Sequence, residues 1–142
     1  MKTLTIGKLA ELAQVNLETI RYYEREGLIL PPPRQSSGHR AYSLNAIQRL
    51  RFIQRTKALG FSLREVRELL ELRRDPDQPC TDVIRQIEAK AAEVEQKIAH
   101  LRAIRRTLIH LKGSCEGGCQ VSECPILENL DRTERSRKLK AC

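Results

Sequence analysis

Apolar residues recur along this chain at helical spacing, and residues that stop helices bound the stretches that carry them. The first runs from Ile6 to Ala13, with Leu9, Leu12 and Ala13 on one face and Thr5 placed to cap its start. After a turn at Gln14-Val15-Asn16 a second helix is expected from Leu17 to Glu26, and Gly27 sits just past its end. Pro31-Pro32-Pro33 excludes helix, and Arg34 to Tyr42 predicts a small hairpin with its turn near Ser37-Gly38. Leu44 to Leu59 follows, with Ser43 or Asn45 as cap, Ile47, Leu50, Ile53 and Leu59 as its apolar positions, and Gly60 as its stop. Ser62 and Glu65 match a capping box that opens another helix, to about Arg73.

Asp75-Pro76-Asp77-Gln78-Pro79 is a clear break. Beyond it a long helix is predicted over residues 80–112, beginning at about Thr81, with apolar positions at Ile84, Ile87, Ala91, Val94, Ile98, Leu101, Ile104, Leu108 and Leu111. The steps of three and four make a heptad seam with one three-residue slip near Leu101. A charged helix with so narrow a seam calls for a partner, and a second copy of itself, in a homodimer, is the simplest. Gly113 to Cys124 reads as a loop and Pro125 to Leu130 as one short helix, so residues 113–131 form a separate segment. The polar, basic tail over 132–142 is expected to be disordered. The fold class is therefore mostly α: two short helices and a basic hairpin within residues 1–75, which read as a winged helix-turn-helix, followed by a long helix and a short loop.

Composition sharpens this picture. Only 4% of the 142 residues are aromatic while 31% are charged, which disfavours a large compact core and favours long amphipathic helices. The net charge is +8, of which residues 1–79 contribute +5 (14 basic, 9 acidic). That excess favours nucleic acid or an anionic surface. No run of eighteen apolar residues exists to span a membrane, and Glu11 interrupts the short apolar stretch near the N-terminus. A cytoplasmic location follows as the expectation, and there cysteines serve as metal ligands or sensors rather than disulfides.

Cys80 precedes the long helix, and Cys115 and Cys124 follow it. In an antiparallel helix pair the start of one helix lies beside the end of the other, so these thiolates would meet across a dimer interface, an arrangement suited to a soft divalent metal. Cys119 adds a nearby sulfur, and Gly117-Gly118 would let the loop turn it inward; a ligand and a plain loop thiol are both open readings. Cys142, at the chain end, is taken as incidental.

Three runs carry a resemblance to a known family: Ile6-Gly7-Lys8-Leu9-Ala10, Glu18-Thr19-Ile20-Arg21-Tyr22-Tyr23-Glu24-Arg25-Glu26-Gly27-Leu28, and Gly38-His39-Arg40-Ala41-Tyr42. In these the chain resembles the MerR family of transcription regulators, to about residue 130. Arg21 and Tyr22, with Thr19, fall early on the recognition helix, where they reach bases or phosphates; Arg34 and Arg40 flank the wing and meet phosphates, and Tyr42 can donate its hydroxyl to one. Lys57, on the following helix, is a further candidate. Tyr23, and less readily Tyr22, can instead pack the small core. His39 stands where the family usually has an aromatic residue, and a histidine still contacts phosphate.

The resemblance implies that Cys80 of one subunit joins Cys115 and Cys124 of the other around a divalent ion (mercury, lead, cadmium or zinc), with Cys119 as a possible fourth ligand. It implies double-stranded promoter DNA and RNA polymerase as partners. Metal capture would distort the promoter and activate export or detoxification genes. Two other readings are weaker. An iron–sulfur regulator of the same family would gather four cysteines just after the helix, where only Cys115, Cys119 and Cys124 stand, and a zinc enzyme would need a positioned base where the loop offers only Glu116 and Glu123. No catalytic motif is present, and the chain is not expected to be an enzyme.

Overall fold

The computed structural model describes residues 3–132, so the expectation of a disordered tail lies outside the described residues for all but its first position. Helices dominate in the order α1 (Ile6–Ala13), α2 (Leu17–Arg25), α3 (Leu44–Ala58), α4 (Leu63–Leu72), α5 (Thr81–Gly113) and, after a single 3-10 turn at Val121–Glu123, α6 (Pro125–Leu130). The chain divides into two compact units, residues 1–87 and residues 88–142; the first unit thus continues past the Asp/Pro break into the opening turns of α5.

The core of the first unit is built from α1 to α4. Leu9, Ile20, Leu28, Leu50, Ile53 and Val66 are completely sealed from water, and Tyr23 joins them at 7% exposure, which decides in favour of core packing for that ring. Leu12 and Leu59 do not follow the predicted stripes. Leu12 lies at the rim, and Leu59, beyond the last turn of α3, is 64% exposed.

Three helices end in one and the same way. Past α2, the Gly27 amide donates to the Glu24 carbonyl and the Leu28 amide to that of Tyr23, with Gly27 at φ +74°. Past α3, Gly60 and Phe61 repeat the pattern on Lys57 and Thr56. Past α1, Gln14 takes the same left-handed turn, at φ 56°. Each of these reverse turns satisfies carbonyls that a helix end leaves without partners, and each redirects the chain so that the next hydrophobe falls inward: Val15, Leu28 and Phe61. Asn16 caps α2 through its side chain, and the predicted Ser62–Glu65 capping box is formed in both directions. Ser43 occupies the cap position of α3 without a side-chain hydrogen bond.

The wing is smaller than a hairpin ladder. Among the described residues there is no strand, only two isolated antiparallel bridges, Arg34 with Arg40 and Leu4 with Tyr42. The second ties the segment before α1 to the base of the wing by a reciprocal pair of 2.8 Å hydrogen bonds.

In α5 the predicted seam exists as a continuous stripe and stays uncovered. Ile84, Ile87, Val94, Ile98, Leu101, Ile104 and Leu108 are each 36 to 63% exposed, and only Leu111 at the far end is buried. α6 is short and begins at Pro125, which suits the first position of a helix.

Candidate nucleic-acid interface and thiol cluster

In the first unit, α2 and the wing enclose an open concavity of about 590 Å³ lined by Arg21, Arg25, Arg34, His39, Arg40 and Tyr42, together with Glu24. Five of the eight residues expected to meet DNA therefore converge on one surface, and Arg25 is an addition. Arg34 and His39 stand on the exposed rim, their backbones fixed by the Arg34–Arg40 bridge and by the Gln35 amide donating to the His39 carbonyl. Arg21 is exposed and shares a loose 3.6 Å ion pair with Glu18, which a phosphate can replace at little cost. Tyr22 is 41% exposed, on the same helix, its ring tilted against Tyr23.

Thr19, Tyr22 and Lys57 do not line the concavity. The Thr19 hydroxyl and amide both donate to the Asn16 carboxamide oxygen at 2.7 Å, so Thr19 is engaged in the α2 cap. Lys57 is exposed near the end of α3.

Tyr42 corrects its expectation. Its ring is 2% exposed and its hydroxyl donates to the Glu24 carboxylate, so the base of the wing uses it as an anchor rather than as a phosphate donor. Burial, and then the hydrogen bond to the Glu24 carboxylate, push its pKa up to about 12. Arg40 reaches the same carboxylate at 3.4 Å. Glu24 thus fastens the wing to the recognition helix through two residues, and sequence reasoning missed it. A signal was available: Glu24 lies four residues after the sealed Ile20, so it sits on the inward side of α2, where a carboxylate needs partners.

Two arginines that α3 and α4 contribute also have structural tasks. Arg49 donates to the Leu28 carbonyl and Arg67 to the Glu26 carbonyl, both just past α2. They fix the end of the recognition helix and are not part of the concavity.

The thiols fall in both units. Cys80 stands immediately before α5, exposed, its carbonyl accepting the first helical hydrogen bond from the Ile84 amide. Cys115 and Cys119 lie in the loop after α5 with their sulfurs 3.4 Å apart. Cys124 is the residue before α6, half-buried, its carbonyl accepting from the Glu128 amide. An all-sulfur donor set of this kind suits a soft cation. Among the described residues, no three His, Cys, Asp or Glu side chains of the single chain converge closely enough to hold an ion.

Comparison with known proteins fits both regions. Residues 4–72 match the family described as MerR HTH family regulatory protein, and residues 47–111 that described as MerR, DNA binding. The mercuric resistance operon regulatory protein of Bacillus cereus is 42% identical over 88% of this chain and 95% of its own length. The transcription regulator PbrR691 from Ralstonia metallidurans CH34, solved in complex with lead(II), is 38% identical, with a TM-score of 0.82 over 89% of this chain and 98% of that one. HiNmlR, a MerR family regulator lacking the sensor domain and solved bound to promoter DNA, is 26% identical, with a TM-score of 0.56 over 78% of this chain and 84% of that one. With its helix-turn-helix, its basic wing and near-full-length similarity of this kind, the chain belongs to the MerR family of DNA-binding transcription regulators, among its heavy-metal-responsive members, and is not an enzyme.

Proposed function

We propose that the protein is a cytoplasmic homodimer that senses a soft divalent cation (mercury, lead, cadmium or zinc) and activates a promoter for metal export or detoxification. The observation that carries this reading is the bare seam of α5, a helix with a thiol before its start and three thiols, Cys115, Cys119 and Cys124, in the segment that follows its end. A stripe so exposed calls for a matching stripe, and a second α5 supplies one. Charge favours the antiparallel arrangement. Residues 82–95 hold four acids and two bases, whereas residues 96–113 hold five bases and no acid. Antiparallel pairing sets the acidic start of each helix beside the basic end of the other. The same arrangement brings Cys80 of each subunit toward the Cys115–Cys124 loop of its partner, so that two chains complete one sulfur set.

Residues 1–75 act as the reading heads and residues 80–112 as the dimer helix, with 113–131 as the metal-binding segment. Arg21 and Tyr22 on the recognition helix face the groove, and Arg34, His39 and Arg40 hold the flanking phosphates. Thr19 and Lys57 lie outside the concavity, and any contact they make is peripheral. Cys80 joins a reading head to the dimer helix. Drawing it toward the partner's loop shifts one head relative to the other, and the cation acts through this preference for one dimer geometry. The distorted promoter then suits RNA polymerase. The relatives solved with or named for lead and mercury support a dication.

The test is transcription in vitro from the protein's own promoter, with each metal added separately and repeated with Cys80→Ser. Wild type should respond to at least one of the four ions by tenfold or more, and Cys80→Ser should not. A promoter that ignores every metal, or a substitution without effect, rejects the reading.

A further inference from the structure

Two sulfurs of the loop after α5 lie against each other: those of Cys115 and Cys119 are 3.4 Å apart. Backbone hydrogen bonds on either side produce the approach. The Ser114 amide and hydroxyl both donate to the Leu111 carbonyl and the Cys115 amide donates to that of Lys112, so Cys115 is fixed to the last turn of α5. Gly117, at φ +85°, then reverses the chain and returns Cys119 toward Cys115. Beyond Cys119 the Glu123 amide donates to the Gln120 carbonyl, which holds the far side of the loop in its 3-10 turn. Cys115 is half-buried while Cys119 is exposed, so the pair has one anchored member and one that meets solvent.

Contact between two thiols is the starting geometry for a covalent bond between them. The sulfurs of a disulfide are about 2.05 Å apart, so this pair closes with a movement of about 1.4 Å. Only Glu116, Gly117 and Gly118 lie between the two cysteines. A ring so short costs little chain entropy to close, and its ends react at the high effective concentration of an intramolecular step. The two glycines leave its backbone able to adjust to the torsion that the bond demands. Inside a cell such bonds are transient and serve as switches rather than as staples.

We infer that Cys115 and Cys119 form a reversible disulfide within one subunit, an oxidative modification driven by hydroperoxides that withdraws both sulfurs from the loop's other chemistry. The exposed Cys119, as thiolate, attacks a peroxide oxygen. The O–O bond breaks, one oxygen stays on the sulfur as a sulfenic acid, and the other leaves as hydroxide and takes up the proton that Cys119 gave up. The Cys115 sulfur then attacks the Cys119 sulfur. The S–O bond breaks, and its oxygen departs as a second water with the Cys115 proton. The two thiols lose two electrons in all, and the peroxide gains them. A dithiol reductant reverses the change through a mixed disulfide. The bond itself is a property of the loop; its consequence rests on the proposed function. Metal ligation needs thiolates, so an oxidised loop is deaf to a cation until it is reduced.

The experiment treats the reduced, metal-free full chain with a stoichiometric amount of hydrogen peroxide, alkylates the remaining thiols, and digests with trypsin and a glutamate-specific protease. Cleavage after Lys112, Glu116, Glu123 and Glu128 puts Cys115, Cys119 and Cys124 on three separate peptides. Mass spectrometry should find peptide 113–116 joined to peptide 117–123 as the main cross-link. Titratable thiols should fall by two from the five of each chain, and the protein should run as a single chain on a non-reducing gel. Cys119→Ser should abolish the cross-link and Cys124→Ser should keep it, with circular dichroism confirming helicity in both. In the promoter assay, peroxide should weaken the metal response of the wild type by about tenfold or more, since even supporting residues of a metal site cost that much, and a dithiol reductant should restore it. The proposal is overturned if Cys115 and Cys119 are recovered alkylated, if the main cross-link joins Cys119 to Cys124 or one chain to another, or if the cross-linked protein answers a metal as the reduced one does. A Cys115–Cys119 cross-link in a protein whose promoter ignores every metal even when reduced would sink the proposed function and leave the disulfide standing.

Discussion

Leu9, Ile20, Leu28, Leu50, Ile53 and Val66 are closed off from water in the first unit, while along α5 Ile84, Ile87, Leu101 and Leu108 are 48 to 63% exposed. The two regions have apolar residues at comparable helical spacing, yet among the described residues one stripe finds its partners and the other stays exposed. Four short helices separated by tight reversals can fold their stripes onto one another; the helix of 33 residues has no second helix of similar length among the described residues. The first region should therefore owe its stability to its own sequence, and the second to mass action between copies.

The largest effect should come from the closed core. Leu50→Ala empties a fully sealed position and is expected to cost about 2–5 kcal/mol. Urea unfolding of the first unit should move to lower denaturant by the same amount at every protein concentration. A concentration-dependent loss would break the contrast between the regions.

Next in size is the open seam. Leu101→Lys with Leu108→Lys places two charges on the stripe, and sedimentation should report monomer where the wild type reports dimer. Affinity for a two-half-site promoter should fall by about a hundredfold as the two heads stop acting together. Unfolding of the first unit should hardly change. A variant that remains dimeric would show that the seam is not the interface.

A smaller effect separates the wing anchor from the rest of the core. Folding raises the Tyr42 pKa from 10.0 to about 12, so folding favours its neutral form. That stabilisation is complete below pH 10 and is lost as pH climbs from 10 to about 12, on the order of 2–3 kcal/mol in all. Tyr42→Phe should cost about 1–3 kcal/mol at neutral pH, because Glu24 loses a partner, and should abolish this part of the alkaline loss. Urea midpoints for both proteins at about pH 9 and about pH 11.5 decide the point. An identical alkaline slope in the two proteins would place the titrating group elsewhere.

How much of this was legible in the sequence follows from the same contrast. Local signals were read accurately: Thr5 as a cap, Gly27 and Gly60 as stops, the Ser62–Glu65 box, and helix bounds within one residue for α1 to α5. These depend on neighbours within a turn or two. What the sequence hid depends on side chains meeting from separate elements. Glu24 draws in Arg40 and Tyr42 from the wing, sixteen and eighteen residues on, and Arg49 and Arg67 reach carbonyls at the end of α2. Periodicity assigns each of these residues a face and says nothing of which remote group it finds. Tyr42 was misread for this reason: an aromatic hydroxyl on a basic wing suggests a phosphate until its ring is seen to be buried. The thiols were found by spacing, but the closeness of Cys119 to Cys115 depends on a loop turn that spacing does not specify.

The carboxylate beneath the wing also shapes how the protein answers to ionic strength. Arg40 is held by Glu24, so a phosphate arriving there meets a guanidinium whose charge is partly spent, and the DNA sheds less of its condensed sodium or potassium at that point. Per reading head, the logarithmic salt slope should be shallower by about one unit than a simple tally of wing and helix arginines suggests. The grip is weaker at low salt in consequence, and it survives better in brine.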